Sequence, residues 1–294
     1  MLRKSLLLSA LAIFGAAQAT EIGSARGVVD VPNQPQTVAA YDLGVIDTLD
    51  AIGVAVAGVP DKTYVDYLDL SQAEVVGTLF EPNLEALNAL APDWVVVAAR
   101  SAAKFDAVSQ IVPAADLTLS GENLFNESLQ RLADLGQVFA KETQAEAVKE
   151  RLVALRDRVA AKVPTENKAL MLLVSGPKIA VYGPDSRGGW LGQELGFNLV
   201  ESEKDASAHG EPVSFEYIAD TNPDWLLVID RAAAIGQDDV SAAEAILDNP
   251  LVAQTTAWQK GQVVYIDPAA MYIAIGGVQG IERVLQQIEA VLDR

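Results

Sequence analysis

A chain of 294 residues has room for one large or two ordinary domains, and half of it is hydrophobic, enough for a substantial core. Its formal charge of −19, from 21 Lys+Arg against 40 Asp+Glu, argues against nucleic-acid binding and against docking on anionic lipid. With no Cys and one His, disulfides, thiolate sites, cysteine nucleophiles and zinc sites built from several imidazoles are excluded.

Residues 1–19 read as an export signal. Arg3 and Lys4 form a positive start, Ser5–Ala16 a short apolar stretch, and Ala17-Gln18-Ala19 a small-x-small cleavage site. The apolar stretch is too short to span a bilayer comfortably, and no Cys near the cut offers a lipidation site. Cleavage after Ala19 and a soluble, unanchored periplasmic chain are expected.

Thr20–Pro35 predicts a short hairpin or irregular lead-in, Thr37–Tyr41 a strand, Gly44–Ile52 a helix and Val54–Val59 a buried strand stopped by Pro60. Val75–Leu79 is the next strand. Asn83–Arg100, NLEALNALAPDWVVVAAR, reads as a helix, a proline break, a buried strand and a terminal Arg. Asp106–Ile111 is a short helix and Ala115–Leu119 a strand. Strands alternating with helices predict a mostly parallel sheet covered on both faces.

Asn123–Val163 carries Leu129, Leu132, Leu135, Val138, Ala145, Val148, Leu152, Leu155 and Val159 at helical spacing, with Gly136 the one interruption. It predicts one or two long helices ended by Pro164, a semi-rigid strut between two α/β lobes. Ala169–Val174 and Lys178–Tyr182 are strands, a Gly-rich loop leads into a helix at Trp190–Leu195, and Asn198–Val200 is a strand. Lys204–Pro212 is a polar loop. Ala242–Asp248 predicts a helix, Gln262–Ile266 a strand, Ala269–Gly277 a loop and Val278–Leu292 an amphipathic helix. The expected division is a lobe over 20–122, a linking helical segment over 123–163 and a second lobe over 164–294.

Ser214–Arg231, SFEYIADTNPDWLLVIDR, repeats the plan of Asn83–Arg100. Both copies carry Pro-Asp-Trp before an apolar run, and Glu85 and Glu216 each stand fifteen residues before Arg100 and Arg231. Ligands of open α/β sheets bind outside the carboxyl ends of the strands. Arg100 and Arg231 at strand ends, with Arg187 in the Gly-rich loop, therefore read either as caps paired with local acids or as a guanidinium set for an anionic ligand. His209 reads as a loop-bracing or a ligand residue, and Tyr272 as a packing or a ligand residue. An imidazole and a phenolate would together suit a ferric ion. Glu85 and Glu216 read either as solvated helix charges or as paired contacts to a symmetric partner bearing Arg.

The motifs Tyr41-Asp42-Leu43-Gly44, Gly77–Glu85 (GTLFEPNLE), Tyr182–Trp190 (YGPDSRGGW), His209-Gly210, Phe215–Ile218, Val228–Arg231 and Tyr272 before Gly276-Gly277 stand in one order over nearly all of the chain past residue 19. In that order they resemble the periplasmic substrate-binding proteins of iron–siderophore ABC transporters, in the catecholate or petrobactin-type branch. The resemblance implies a non-enzymatic protein of two α/β lobes with mostly parallel sheets, joined by one long helix, with a ligand cleft between them. It implies a ferric catecholate complex as ligand and no prosthetic group. It places Arg100, Arg187 and Arg231 around the anionic siderophore, and His209 and Tyr272 on the iron where a tetradentate chelator leaves two positions open. It makes Glu85 and Glu216 docking glutamates for arginines of an inner-membrane permease dimer, and implies a monomeric chain. Two positions depart from the pattern: Ala99 stands where the family often has Gly before the first Arg, and Lys104 is a loose counterpart of a basic residue following it. Haem, cobalamin or a hydroxamate siderophore are alternative ligands of the same architecture. A secreted hydrolase is disfavoured because Gly-x-Ser-x-Gly is absent and His209 is the sole imidazole.

Overall fold

The computed structural model describes residues 19–201, 209–237 and 242–294. The expected export signal up to Gln18, and residues 202–208 of the expected polar loop, lie outside the described residues.

A hairpin of β1 (Ala19–Ser24) and β2 (Gly27–Pro32) opens the described chain. The first sheet is built from β3 (Val38–Ala40), β4 (Gly58–Val59), β5 (Glu74–Val75), β6 (Trp94–Val97) and β7 (Ala114–Asp116). Its helices are α1 (Leu43–Ala51), α2 (Leu84–Leu90) and α3 (Phe105–Ser109). The strand order is β5-β4-β3-β6-β7, parallel throughout. Crossover helices follow from that direction, because adjacent parallel strands cannot be joined by a tight turn.

The connecting segment, for which the resemblance implied one long helix, is two helices, α4 (Leu124–Val138) and α5 (Glu142–Ala160). The chain turns between them through Ala140 in the left-handed region (φ 52°). A Cβ on Gly136 would lie 2.7 Å from that of Ala145, so glycine there lets the two helices close on each other. Their facing rows, Leu132, Leu135 and Val138 against Ala145, Val148 and Leu152, are buried.

The second sheet holds β8 (Ala169–Ser175), β9 (Lys178–Tyr182), β10 (Glu211–Val213), β11 (Trp225–Asp230) and β12 (Val263–Ile266). Around it lie α6 (Trp190–Leu195), α7 (Phe215–Thr221), α8 (Arg231–Ala234), α9 (Ala243–Leu247), α10 (Thr256–Gln259) and α11 (Pro268–Tyr272), and α12 (Val278–Leu292) closes the chain. The order is β10-β9-β8-β11-β12, with β8, β11 and β12 parallel and β9 and β10 antiparallel to their neighbours. The molecule is thus an α/β protein of two lobes, each centred on a mostly parallel sheet.

Five sequence expectations need correction, the first being the strand expected at Val75–Leu79, which is the two-residue β5 at Glu74–Val75. The Val54–Val59 strand shortens to two residues, and Asn198–Val200 contributes one isolated bridge, Leu199 to Ala169. The expected loop at Ala269–Gly277 begins as α11, because Pro268 stands at its first turn and the Asp267 carboxylate accepts the Ala270 N–H. Glu211 and Pro212, at the end of the expected polar loop, pair with β9 together with Val213.

The repeat is structural as well as sequential. Asn83 and Ser214 cap α2 and α7 through their side chains, and Ala91 and Asn222 end these helices in the left-handed region. In Pro-Asp-Trp the carboxylate of Asp93 accepts the N–H of Thr37 (2.9 Å), and that of Asp224 accepts the N–H of Lys168 (2.9 Å). Each thereby sets the start of the neighbouring central strand, so that Val38 registers with Trp94 and Ala169 with Trp225. Both tryptophans are buried beneath their strands.

A buried polar junction joins α1, α4 and the start of α12. Asp47 accepts the N–H of Gln279 (2.8 Å) and of Gly280 (2.9 Å), capping α12, and the hydroxyl of Tyr67 (2.9 Å). Arg131 of α4 donates to the Gly276 carbonyl at 2.8 Å. A Cβ on Gly44 would meet the Ile275 carbonyl oxygen at 2.3 Å, so α1 lies against this loop only because residue 44 has no side chain. Burial pushes the Asp47 carboxyl up to about 7, outweighing these donors and the Arg131 charge. A carboxyl with a folded-state pKa above its ordinary 3.8 holds its proton more firmly when folded. Its stabilising contribution is therefore present at low pH and lost as pH rises through about 7. Asp47→Asn is expected to flatten the fall in stability between about pH 4 and pH 7. It is also expected to cost about 1–3 kcal/mol, because an amide cannot accept from donors on both sides. Urea unfolding across that pH range measures both effects.

Candidate functional site

The repeated elements deliver two guanidiniums to one place. Beyond β6 the chain passes through Ala99 at φ 45°, a left-handed position held by its N–H to the Thr118 hydroxyl at 2.6 Å. That conformation explains why glycine suits the residue before the first Arg, and here alanine adopts it. Arg100 then points toward α11. It donates to the Tyr272 carbonyl at 2.7 Å and to the Ile273 carbonyl at 3.2 Å. Beyond β11, Asp230 caps α8 by accepting the Ala233 N–H, and Arg231 occupies the first helical position. Its Nε donates to the Tyr272 hydroxyl at 3.0 Å, and its Nη1 reaches the Ser175 hydroxyl at 3.5 Å.

Arg187 comes from the Gly-rich loop. A Cβ on Gly189 would fall 1.8 Å from the Pro184 carbonyl oxygen, and one on Gly188 would strike the Met171 sulfur at 2.0 Å. The two glycines let the loop fold tightly over β8 and direct Arg187 inward.

All three guanidiniums surround one ring. The carbon centres of Arg187, Arg231 and Arg100 lie 5.1, 5.6 and 5.9 Å from the centroid of Tyr272, within cation–π range. Tyr272, the last residue of α11, is buried, and the three arginines are half-buried. Among the described residues none of the three forms an ion pair with a carboxylate, whereas Arg26, Arg151, Arg156, Arg158 and Arg283 each do. Burial holds the Arg100 guanidinium below its ordinary value, with Arg187 pushing the same way and Asp42 opposing both. Three half-buried guanidiniums about one ring concentrate positive potential at this point of the molecule.

Two pockets flank the cluster. One of about 310 Å³ is lined by Arg100, Arg187, Thr118, Ser120, Asp42 and Arg131. The other, of about 530 Å³, takes Arg231, Ser175, Lys178 and His209 together with apolar side chains of β8, β9 and β10. His209 is exposed and shares this pocket with Arg231, which in turn contacts Tyr272. Among the described residues no group of three or more His, Asp or Glu is placed to hold a metal ion.

Sequence reasoning missed Arg131 and Lys178. Arg131 sits on the apolar face of a helical repeat and is fully buried, so the periodicity that found α4 also concealed it. Burial holds its guanidinium below the ordinary value, and its Nε has no hydrogen-bond partner among the described residues. Lys178 opens a strand and gave no signal of its own. Glu85 and Glu216 line neither of the two pockets and are exposed in the first turns of α2 and α7.

Residues 38–270 match the family described as periplasmic binding protein. The chain is 31% identical to the petrobactin-binding protein YclQ of Bacillus subtilis, over 90% of this chain and 84% of that protein. It is 32% identical to the ferric-anguibactin-binding protein FatB of Vibrio anguillarum, over 89% of this chain and 84% of that protein. The crystal structure of the periplasmic catecholate-siderophore binding protein VctP from Vibrio cholerae aligns at a TM-score of 0.85 with 28% identity, covering 93% of this chain and 100% of that one.

Proposed function

Because the chain belongs to the periplasmic binding protein family, we propose that it is the substrate-binding component of an iron-transport ABC system, capturing a ferric catecholate siderophore and delivering it to an inner-membrane permease. The carrying observation is the set of three half-buried arginines, without acid partners among the described residues, around Tyr272. A ferric catecholate is flat-ringed and anionic, and guanidiniums meet it by fork hydrogen bonds and by stacking. The acidic chain repels such a ligand at long range, so capture depends on this local field.

Arg100, Arg187 and Arg231 are the anion-binding residues in this reading. His209 and Tyr272 are the iron contacts for a tetradentate bis-catecholate, whose four oxygens leave two positions of an octahedral shell open. Tyr272 reaches iron by exchanging the Arg231 hydrogen bond for the metal. No chemical conversion is proposed: the protein binds and releases its cargo. The leader is removed after Ala19, at the first residue of β1, which leaves the hairpin nearly whole. No helix among the described residues is long and apolar enough to cross a membrane. The division into lobes over 20–122 and 164–294, joined through 123–163, belongs to the same reading.

The iron contacts are tested by comparing chelators. His209→Ala with Tyr272→Phe is expected to weaken tetradentate ferric complexes about tenfold or more and to shift their charge-transfer band. Hexadentate complexes, which leave no open position, should be nearly unaffected. Equal effects on both classes would remove His209 and Tyr272 from the iron.

A further inference from the structure

The two copies of the repeat present unlike faces to solvent. Keeping the register that aligns Glu85 with Glu216, Phe80 corresponds to Glu211 and Leu84 to Phe215. Phe215 packs against the apolar cluster of the second sheet. Phe80 is 57% exposed and Leu84 38%, and neither packs against a buried cluster among the described residues. Phe80 and Leu84 are thus two exposed apolar residues close in sequence to Glu85.

Phe80 is also held in place. The Thr78 hydroxyl accepts the N–H groups of Phe80 (3.2 Å) and Glu81 (3.0 Å), and Gly77 bridges to Pro82 across the turn. Gly77 has φ 139°, and a Cβ there would meet the Glu81 carbonyl oxygen at 2.4 Å. The turn therefore presents Phe80 rigidly, at small entropic cost on binding. Charge narrows the partner further. Glu81 is neutralised by Lys104 at 2.7 Å, whereas Glu85 forms no ion pair among the described residues. The patch is thus an apolar pair flanking one uncompensated carboxylate.

We propose that Phe80 and Leu84 form with Glu85 a single docking patch for the permease, fitting an arginine set beside an apolar pocket. The lobe of the first sheet is the anchoring lobe. The counterpart around Glu216 supplies charge without an apolar anchor, so the pair of faces selects one of two orientations on a pseudo-symmetric partner. This rests on the docking role proposed for the two glutamates.

The test measures binding of full-length mature protein, loaded with an Fe(III) bis-catecholate, to its permease in nanodiscs. Phe80→Ser, Leu84→Ser and Glu85→Arg are compared. Exposed positions of this kind change stability little, and thermal unfolding confirms that each variant is folded. Phe80→Ser is expected to weaken permease binding about tenfold or more while the ferric-chelate Kd stays within about twofold. Leu84→Ser should have a smaller effect in the same direction. Permease affinity unchanged in Phe80→Ser but lost in Glu85→Arg would overturn the apolar anchor alone. No loss in either variant would overturn the docking role of Glu85 and this inference with it. Self-association of the native chain in sedimentation, abolished by Phe80→Ser, would assign the patch to a second copy and overturn the permease proposal.

Discussion

Arg231→Ala is expected to weaken ferric catecholate binding on the order of 2–4 kcal/mol, about 30- to 1,000-fold in Kd. The size follows from its position. Arg231 contacts the Tyr272 hydroxyl and Ser175, faces the larger pocket, and is one of three cations about the ring. Its loss removes a charge-assisted donor from a half-desolvated site, where such donors are strongest. Arg100→Ala should produce a loss of similar order with a second component, because Arg100 also holds the Tyr272 and Ile273 carbonyls. Arg231→Lys keeps the charge and loses the planar fork, and should fall between native and Ala. A ferric hydroxamate, less negative than a catecholate complex, should be less sensitive to all three changes. Fluorescence titration with each chelate gives these values. Losses equal for neutral and anionic chelates would mean that the arginines shape the pocket without reading charge.

Charge reversal of the two glutamates gives the second large effect. Glu85→Arg with Glu216→Arg is expected to leave the ferric-chelate Kd within about twofold, because both side chains are exposed and line neither pocket beside the arginine cluster. Uptake by cells carrying the double variant should be abolished. A like-charge contact at each docking point costs several kcal/mol against the native pairing. Both carboxylates sit two residues after a side-chain N-cap on short helices fixed by the Pro-Asp-Trp strands. The fold thus repeats their presentation on the two lobes. Impaired chelate binding in the double variant would move the glutamates into the cleft.

Most of the architecture was legible in the sequence because the repeat carries its own constraints. Asp93 and Asp224 do the same work at the start of equivalent strands, so a shared tripeptide announced a shared lobe. The arginines were legible for the same reason, since a strand end fixed by its neighbour also fixes the residue that follows. What remained hidden depends on long-range contact. That Arg100, Arg187 and Arg231 converge on the ring of Tyr272 requires α11 to lie between the two sheets, and α11 itself was read as loop. Its start is set locally by Asp267 and Pro268. The Asp47–Arg131 junction had no local signal: Asp47 lies in α1 and caps a helix more than two hundred residues away. The exposed Phe80 was likewise invisible, because one aromatic in a loop says nothing of burial until the packing around it is known.

Titration of the mature chain with Fe(III) complexes of bis- and tris-catecholates, followed by intrinsic fluorescence quenching, bears most directly on the proposed role. Saturable quenching by the ferric catecholates, accompanied by a catecholate charge-transfer band and lost in the combined Arg100, Arg187 and Arg231 to Ala variant, is the expected result. Binding of haem with a Soret shift, and no quenching by any ferric catecholate, would contradict it.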